Sequence, residues 1–296
     1  METLESLGRR IESASELRSV VKTMKSLAAV NITHFQEATR SLHDYLETVE
    51  MGLQVALQGD PQRVQPGGAR PGTQGLGAIV VGSDQGMCGR FNEEVAEFAV
   101  DRMSREDLPL GQWRVVALGA RIVGSLEDAG IDVEGVYPIP ASLSGISQRV
   151  ETVIAQARRW YAEDRLTRVM VYHAETVSQS SYEPVAVQLL PINPQWVREL
   201  LARPWPGPTI PTFRAPWPDL IQCLLRQAIL VLCFRAITES LASENITRLQ
   251  SMEAAESNIG ERLAELKSAY NRERQSSITS EILDIVGGFE ALKEDV

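Results

Sequence analysis

Two long segments, one at each end of the chain, carry an apolar residue at every third or fourth position. The first covers residues 2–57 and the second runs from Asp219 to Lys293, and neither contains a proline. This spacing is typical of one face of an α-helix. Gly59, Asp60 and Pro61 end the first segment, because proline cannot continue a helix. The pattern therefore predicts an N-terminal helix over residues 1–57 and a C-terminal helix over residues 219–296.

The length of these segments indicates that they pack on each other. A helix of about 75 residues spans on the order of 110 Å, which is wider than one globular core. Such a helix is typical of a coiled coil, a membrane span or a helical repeat. We expect no membrane span, because a bilayer needs about 20 apolar residues in a row and charged residues interrupt the second segment at Arg226, Arg235, Glu239, Glu244 and Arg248. A coiled coil of the two ends is the simplest arrangement, and a bundle core is the alternative for each stripe taken alone.

The apolar positions of each segment form one continuous stripe along the predicted helix. In the first segment they include Leu4, Leu7, Ile11, Ala14, Leu17, Val21, Met24, Ala28, Phe35, Ala38, Leu42, Leu46, Val49 and Leu53. In the second they include Leu220, Leu224, Ile237, Leu241, Leu249, Met252, Ala255, Ile259, Leu263, Leu266 and Tyr270. The second stripe then becomes polar between Lys267 and Glu281. This change suggests that the end of the helix faces something other than its coiled-coil partner.

The middle of the chain has a different period. Apolar runs of strand length lie at 76–81, 113–118, 131–137, 168–172 and 185–190, and helical stretches at about 91–105, 119–129 and 144–164 separate the first four runs. Strands that alternate with helices indicate a mostly parallel sheet, so we expect a Rossmann-like α/β domain over residues 76–191. The fifth run follows a short loop, which predicts an antiparallel edge strand. Residues 58–75 are predicted to be a flexible loop and residues 192–218 a proline-rich connector.

Composition excludes several classes of function. The net charge of −10 and the pI near 5.0 argue against nucleic acid as a principal partner, because phosphate binding needs clustered Lys and Arg. The first residues are charged and helical, so we expect no signal peptide. The three cysteines and three histidines show no metal-ligand or disulfide spacing, so we predict no metal site and a reducing compartment.

The segment from Gly82 to Asn92 is the main candidate for chemistry. It follows the first predicted strand and opens a helix, where α/β proteins often bind phosphates. It matches neither the P-loop nor the GxGxxG fingerprint, so its glycines are better explained by a sharp turn. Cys88 is either a nucleophile or, more simply, a buried structural cysteine. No histidine or carboxylate pair suited to acid–base catalysis lies near Cys88 in the sequence. We therefore predict no catalytic residues and no cofactor, and we favour a binding or mechanical role.

Several segments together resemble the gamma subunit of F-type ATP synthases, and the similarity covers nearly the whole chain. Residues 270–288 are similar to the family's C-terminal signature, with matches at Thr279, Glu281, Asp284 and Gly288. The loop at 83–89 is similar to the family's Ser-Asp-basic-Gly-Leu-Cys-Gly loop, with Gln85 in place of the basic residue. Residues 21–29 resemble its Thr-Lys-Ala-Met-Lys segment, and residues 181–191 its final strand.

The resemblance implies a fold and a function. The terminal helices would form an antiparallel coiled coil inside a ring of alternating alpha and beta subunits. The α/β domain would lie at the foot with the epsilon subunit and the membrane c-ring. The chain would then be a non-catalytic rotor shaft that couples ion flow to ATP synthesis or hydrolysis, located peripherally on the cytoplasmic face of the membrane.

The resemblance also implies roles for individual residues. The implied partner contacts are Met24, Lys25, Arg248, Gln275, Thr279 and Glu281. The implied apolar bearing at the helix end consists of Ile282, Ile285, Val286 and Phe289, for which capping of the coiled coil is an equal alternative. The implied structural loop contains Asp84, Gly86, Cys88 and Gly89.

The chain also departs from the family pattern. His34, Gln36 and Glu37 stand in an N-terminal helix that is commonly basic in the family, and Phe289 stands where alanine is usual. These departures suggest an atypical branch, such as the alternate or sodium-type ATPases. The competing hypotheses are a nucleotide- or small-ligand-binding α/β enzyme with coiled-coil dimerisation arms, and a coiled-coil adaptor with an inserted domain.

Overall fold

The computed structural model describes residues 3–58, 75–106, 112–140, 142–164, 166–178 and 180–294, with side chains described as far as Val286. The elements in chain order are α1 (Leu4–Gln58), β1 (Leu76–Val81), α2 (Phe91–Ser104), β2 (Trp113–Leu118), α3 (Arg121–Asp128), β3 (Val133–Tyr137), α4 (Leu143–Ala162), β4 (Arg168–Ser178), β5 (Ser181–Leu190), α5 (Pro194–Ala202) and α6 (Trp217–Glu294). Most of the predicted loop at 58–75 lies outside the described residues.

The chain forms two compact units. One consists of residues 1–28 and 249–296, and the other of residues 29–248. Helices α1 and α6, with 55 and 78 residues, each contribute to both units. Helix α6 begins at Trp217, before the predicted Asp219, because Pro218 is tolerated in the first turn of a helix, where its missing N–H has no intrahelical partner. The two long helices expected from the hydrophobic pattern are therefore present.

The unit of residues 29–248 contains a five-stranded sheet in the order β3-β2-β1-β4-β5. Strand β1 pairs in parallel with β2 and β4, β2 pairs in parallel with β3, and β4 pairs with β5 antiparallel. The prediction of a mostly parallel sheet with an antiparallel edge strand is confirmed. Strands β4 and β5 are longer than the predicted runs because polar residues such as Thr176 and Glu183 continue the antiparallel pairing beyond the apolar core.

Helices cover both faces of the sheet. On one face, α4 and α6 pack on the strands around Trp160, Val171 and Ile237. On the other face, α2 and α3 pack around Phe91 and Leu126. Burial on both faces explains why the parallel strands read as continuous apolar runs in the sequence.

The predicted proline-rich connector at 192–218 contains a helix that the sequence analysis did not predict. Helix α5 begins at Pro194, and the side chain of Asn193 caps it by accepting a 2.9 Å hydrogen bond from the Gln195 backbone N–H. Val197 and Leu200 of α5 pack with the C-terminal part of α1 and the first turns of α6. Pro194 occupies the first helical position, where its missing N–H costs no hydrogen bond, so this proline initiates a helix.

Helix α6 is long and apolar enough to cross a membrane by length and composition, the one such helix among the described residues. The relevant window of 18 residues has a mean hydropathy of 1.8, and 33% of it is buried. The expectation that charged residues interrupt every apolar window was therefore too strict. In the structure Ile221, Ala228 and Val231 of this stretch pack with α1 and α5, and Ile237 packs under the sheet. Packing within the chain thus accounts for the buried third of the window.

One glycine of β1 tests the packing of the sheet against α4. A Cβ atom placed on Gly77 would lie 2.5 Å from Cε3 of Trp160, which is itself fully buried. Gly77→Ala should lower the free energy of unfolding by about 1–3 kcal/mol, the usual cost of overpacking a core.

The matched control is Gly124→Ala on the exposed face of α3, where a Cβ would meet nothing within 4 Å. This change should raise the free energy of unfolding by about 0.5–1 kcal/mol, because alanine favours a helix over glycine. Urea unfolding of the full chain measures both values. Equal effects of the two substitutions would contradict the described packing of Trp160.

Candidate functional site

The unit of residues 1–28 and 249–296 is an antiparallel coiled coil. The Lys25 Nζ atom lies 2.7 Å from Glu256 Oε2, and Gly8 faces Tyr270, whose ring lies 4.0 Å from the position of a Cβ on that glycine. Residues earlier in α1 therefore contact residues later in α6, which means that the two helices run antiparallel. The seam between the two helices is apolar and buried at Leu7, Val21, Ala28, Met252, Leu263 and Leu266.

One predicted member of the α1 stripe, Leu17, lies at the edge of the seam and is largely exposed. Leu17 is 58% exposed, as are Val20 and Leu27 at 54% and 59%. Leu17 lies beside Ala14 of α1 and Leu266 of α6, so it borders the seam without being covered by it. Leu17, Val20 and Leu27 therefore give α1 exposed apolar surface beside the seam, next to the half-buried Met24.

The C-terminal end of α6 extends past this coiled coil. From Ser280 to Val286 every described side chain is exposed, and Gln275 and Thr279 just before it are exposed too. The Thr279 hydroxyl donates a 2.8 Å hydrogen bond to the Gln275 carbonyl oxygen one turn earlier. Gln275, Thr279 and Glu281, three of the predicted contact residues, are thus accessible on one solvent-exposed stretch of helix.

The same stretch carries large apolar side chains in solvent. Of the predicted bearing residues, Ile282, Ile285 and Val286 are 55%, 67% and 48% exposed. The side chain of Phe289, the fourth, lies outside the described residues. Ile278, 46% exposed, shares the helix face of Ile282 and Ile285 and was not predicted, although the spacing 278, 282, 285 indicates it. Leu283, 64% exposed, lies on a neighbouring face of the same helix end. A cluster of exposed apolar residues on one helix end marks an interaction surface.

Met24 and Lys25 lie on α1 and are half-buried. The hydrogen bond with Glu256 raises the pKa of Lys25, and the same bond lowers the pKa of Glu256. Lys25 is therefore charged and engaged within the coiled coil. An outside partner would have to compete with Glu256 for it.

The loop after β1 is held by its own polar groups. The Asn92 side chain accepts a 2.9 Å hydrogen bond from the Ser83 backbone N–H and donates one of 2.9 Å to the Ser83 hydroxyl. Met87 and Gly89 adopt positive φ angles of 62° and 56°, a conformation that glycine adopts without strain. Gly86 has ordinary φ, and a Cβ there would lie 3.9 Å from Arg121, an unstrained contact.

Asp84 joins this loop to the two neighbouring strand ends. Its carboxylate accepts a 2.8 Å hydrogen bond from the Ala120 backbone N–H, where α3 begins, and one of 2.7 Å from the Ile139 backbone N–H, after β3. Both oxygens are therefore used within the domain. This arrangement is that of a structural clamp.

Cys88 is buried beneath the same loop, at 2% exposure. Burial raises the pKa of its thiol, so the thiolate that a nucleophile requires is disfavoured. No group of three or more His, Cys, Asp or Glu side chains that could hold a metal ion occurs among the described residues. The geometry fits the structural interpretation of this cysteine.

Arg248 lies behind the loop and is 6% exposed. It forms an ion pair with Glu244, one turn earlier on α6, and donates to the carbonyl oxygens of Gln85 and Gly86 at 3.3 and 3.5 Å. Burial raises the pKa of Glu244, and the positive charge of Arg248 opposes that shift. The structure thus places this predicted contact residue in the interior, where it ties the loop to α6. Sequence spacing alone does not show that residues 85 and 248 meet.

Comparisons with known proteins agree with this architecture. A family model described as ATP synthase matches residues 3–292. The ATP synthase gamma chain of Staphylococcus haemolyticus is 24% identical over 295 residues, which cover 99% of this chain and 100% of that one. The ATP synthase gamma chain of Nitrosospira multiformis is 27% identical over 290 residues, with 96% and 97% covered.

Solved structures show the same fold. The OSCP/F1/c-ring structure of the Euglena gracilis mitochondrial ATP synthase contains a chain that matches with a TM-score of 0.64 at 15% identity, covering 98% of this chain and 94% of that one. A chain of the central stalk/c-ring structure of the Tetrahymena thermophila mitochondrial ATP synthase matches with a TM-score of 0.57 at 15% identity, covering 80% and 99%. The chain therefore belongs to the ATP synthase family, as a gamma subunit with the fold of the central rotor stalk.

The buried pair of Glu244 and Arg248 can be tested through stability. Arg248→Met should lower the free energy of unfolding by about 3–5 kcal/mol, because it leaves a buried carboxylate without its partner. The double variant Glu244→Leu/Arg248→Met should be more stable than the single variant, because no uncompensated charge remains.

Arg262→Met removes a comparable but exposed pair with Glu265 and should change the free energy of unfolding by less than about 0.5 kcal/mol. Urea unfolding of the four full-length chains gives these differences. An Arg248→Met effect as small as that of Arg262→Met would show that the buried pair does not hold the loop.

Proposed function

We propose that the chain is the central shaft of a rotary ATP synthase, coupling ion flow through a membrane c-ring to the conformational cycle of catalytic beta subunits. The observation that carries the proposal is the contrast along α6. Its segment from Ala236 to Arg248 is buried within the α/β unit, whereas its side chains from Ser280 to Val286 are all exposed. One helix thus combines a firmly embedded part with a free, interactive end.

The exposed end has the composition that a turning contact requires. Polar groups such as Gln275, Thr279 and Glu281 form surface interactions of about 0–1 kcal/mol each, which a partner can exchange as the shaft turns. Apolar side chains such as Ile282 and Ile285 gain about 1.5–3 kcal/mol each when they are fully buried. We assign the polar residues to contacts with the ring of alpha and beta subunits and the apolar residues to a bearing near its end.

The remaining predicted residues have supporting roles in this proposal. We assign the exposed apolar side chains of Val20 and Leu27, with the half-buried Met24 near them, to the surface of α1 that contacts the ring. Lys25 acts through its exchangeable pair with Glu256. Arg248 acts indirectly, by holding the loop at Gln85 and Gly86 against α6.

The proposal extends to partners beyond the ring, and its support is that chains of the same fold occur in rotor and central stalk/c-ring structures. The α/β unit is the part we assign to the foot of the stalk, with the epsilon subunit and the c-ring as neighbours. The chain would then be peripheral, on the cytoplasmic face of the membrane. No observation favours the alternative of a nucleotide-binding enzyme, because the polar groups of Ser83, Asp84 and Asn92 are engaged within the domain.

Assembly is the first test of the proposal. The chain expressed alone should have no measurable ATPase activity, since its described residues form no catalytic constellation. Expressed together with alpha and beta subunits from the same organism, it should co-purify with them in a ratio of one to three to three, as measured by quantitative gel analysis or native mass spectrometry. Recovery of the chain only as a free monomer would contradict the proposal.

The apolar end provides the second test. Ile282→Ser/Ile285→Ser should weaken retention of the chain in the alpha–beta ring by at least about tenfold, because 1.4 kcal/mol corresponds to a factor of ten in binding. The free energy of unfolding of the isolated chain should stay within about 0.5 kcal/mol, since both residues are exposed.

Val177→Ser is the matched control, because Val177 is 60% exposed but lies at the end of β4 in the α/β unit. It should leave retention in the ring unchanged. Competition between labelled wild-type and variant chains during reconstitution measures the ratio. Equal retention of the wild type and the double serine variant would contradict the proposal that Ile282 and Ile285 form an apolar contact with the ring.

A further inference from the structure

The segment of α6 from Thr238 to Arg248 is buried along its whole length, although eight of its eleven residues are polar or charged. Buried helices are usually apolar on every side, and buried charged groups usually have partners. A polar helix segment under a sheet therefore needs an explanation beyond core packing. Its contacts within the unit of residues 29–248 provide one.

Serines on this segment bring α6 close to the strands. The Ser240 hydroxyl donates a 3.4 Å hydrogen bond to the Val81 carbonyl oxygen at the end of β1. The Ser243 hydroxyl donates one of 3.4 Å to the Ala174 carbonyl oxygen and lies 3.2 Å from the Thr176 hydroxyl, both on β4. These bonds fix where each serine lies along the strands.

An ionic cluster on the same face joins α6 to β4. His173 and Glu175 continue the face of β4 that begins with Val169 and Val171 in the core. The His173 Nε2 atom lies 3.1 Å from Glu239 Oε2. Arg235 donates to Glu239 at 2.6 Å and to Glu175 at 2.9 Å.

The protonation of Glu239 follows from these contacts. Burial raises the pKa of this carboxyl group, but the hydrogen bonds from His173 and Arg235 outweigh burial and lower it. Glu239 is therefore a buried carboxylate with donors on both oxygens. The helix is also held from its other side, since Thr39 of α1 lies 3.3 Å from Thr238.

Such contacts contribute little to stability compared with apolar packing, because desolvation offsets the attraction between buried charges. Their best-attested effect is to specify register, since a directional hydrogen bond is lost when a helix turns or slides by part of a turn. An apolar helix face tolerates such displacement much better. The cluster thus provides a torsional constraint that an apolar seam would lack.

We infer that His173, Glu239 and Arg235 are positioning residues that fix the rotational register of α6 on the sheet, so that torque passes between the α/β unit and the shaft without slip. This inference rests on the proposed function. It adds the assignment of a torque-bearing joint to residues that the resemblance did not single out. The joint acts on coupling and leaves the catalytic sites of the ring unaffected.

The test uses the assembled complex reconstituted in vesicles, with His173→Leu/Glu239→Leu as the variant. ATP hydrolysis should stay within about twofold of the wild type, whereas the number of ions pumped per ATP against a gradient should fall at least threefold. His173→Gln, which retains a donor toward Glu239, should restore at least most of the coupling. Arg90→Gln/Glu93→Gln removes an exposed ion pair on α2 and should leave both quantities unchanged.

If His173→Leu/Glu239→Leu does not assemble, Arg235→Leu/Glu175→Leu provides a second variant, which removes the more exposed half of the cluster. It should lower the number of ions pumped per ATP by a smaller factor. A pumping ratio equal to the wild type in an assembled variant would overturn the joint while leaving the shaft function intact. A wild-type complex that hydrolyses ATP with no pumping at all would instead contradict the proposed function. The two failures are therefore distinguishable.

Discussion

Helix α6 has to satisfy two opposite environments along one continuous element, and most of the structure follows from this requirement. Between Thr238 and Arg248 it is enclosed by the sheet, α1 and the loop after β1, and its polar side chains all need partners there. From Ile278 to Val286 every described side chain is exposed. The hydrogen bonds of the first part anchor the helix, and the free surface of the second part is what other subunits can contact.

The loop after β1 illustrates how this requirement shapes the α/β domain. In many α/β proteins the corresponding loop binds phosphates with its free backbone N–H groups. Here Asp84 occupies the N–H groups of Ala120 and Ile139, and the loop carbonyls of Gln85 and Gly86 accept from Arg248. The loop thus supports α6 through these hydrogen bonds.

The sequence predicted the long helices, the parallel sheet and its antiparallel edge. Each of these depends on the spacing of apolar residues and on the glycines and prolines that end helices and strands. It also indicated the exposed end of α6, through the loss of the stripe after Lys267. It did not predict α5, because prolines surround the Asn193 cap and obscure its helix-start signal, and it did not predict the exposure of Leu17. The burial of Arg248 and the cluster of His173 with Glu239 depend on contacts between residues far apart in the chain. Such contacts leave no periodic signal.

Rotation is the central claim, and the chain contains a natural site for observing it. Cys223 of α6 is exposed, whereas Cys88 and Cys233 are buried, so a maleimide-linked bead or nanorod can be attached at Cys223 in an assembled, surface-anchored complex. We expect the probe to turn continuously in one direction while ATP is hydrolysed and to stop when hydrolysis is inhibited. A probe that stays fixed relative to the ring while the complex hydrolyses ATP at its full rate would contradict the account.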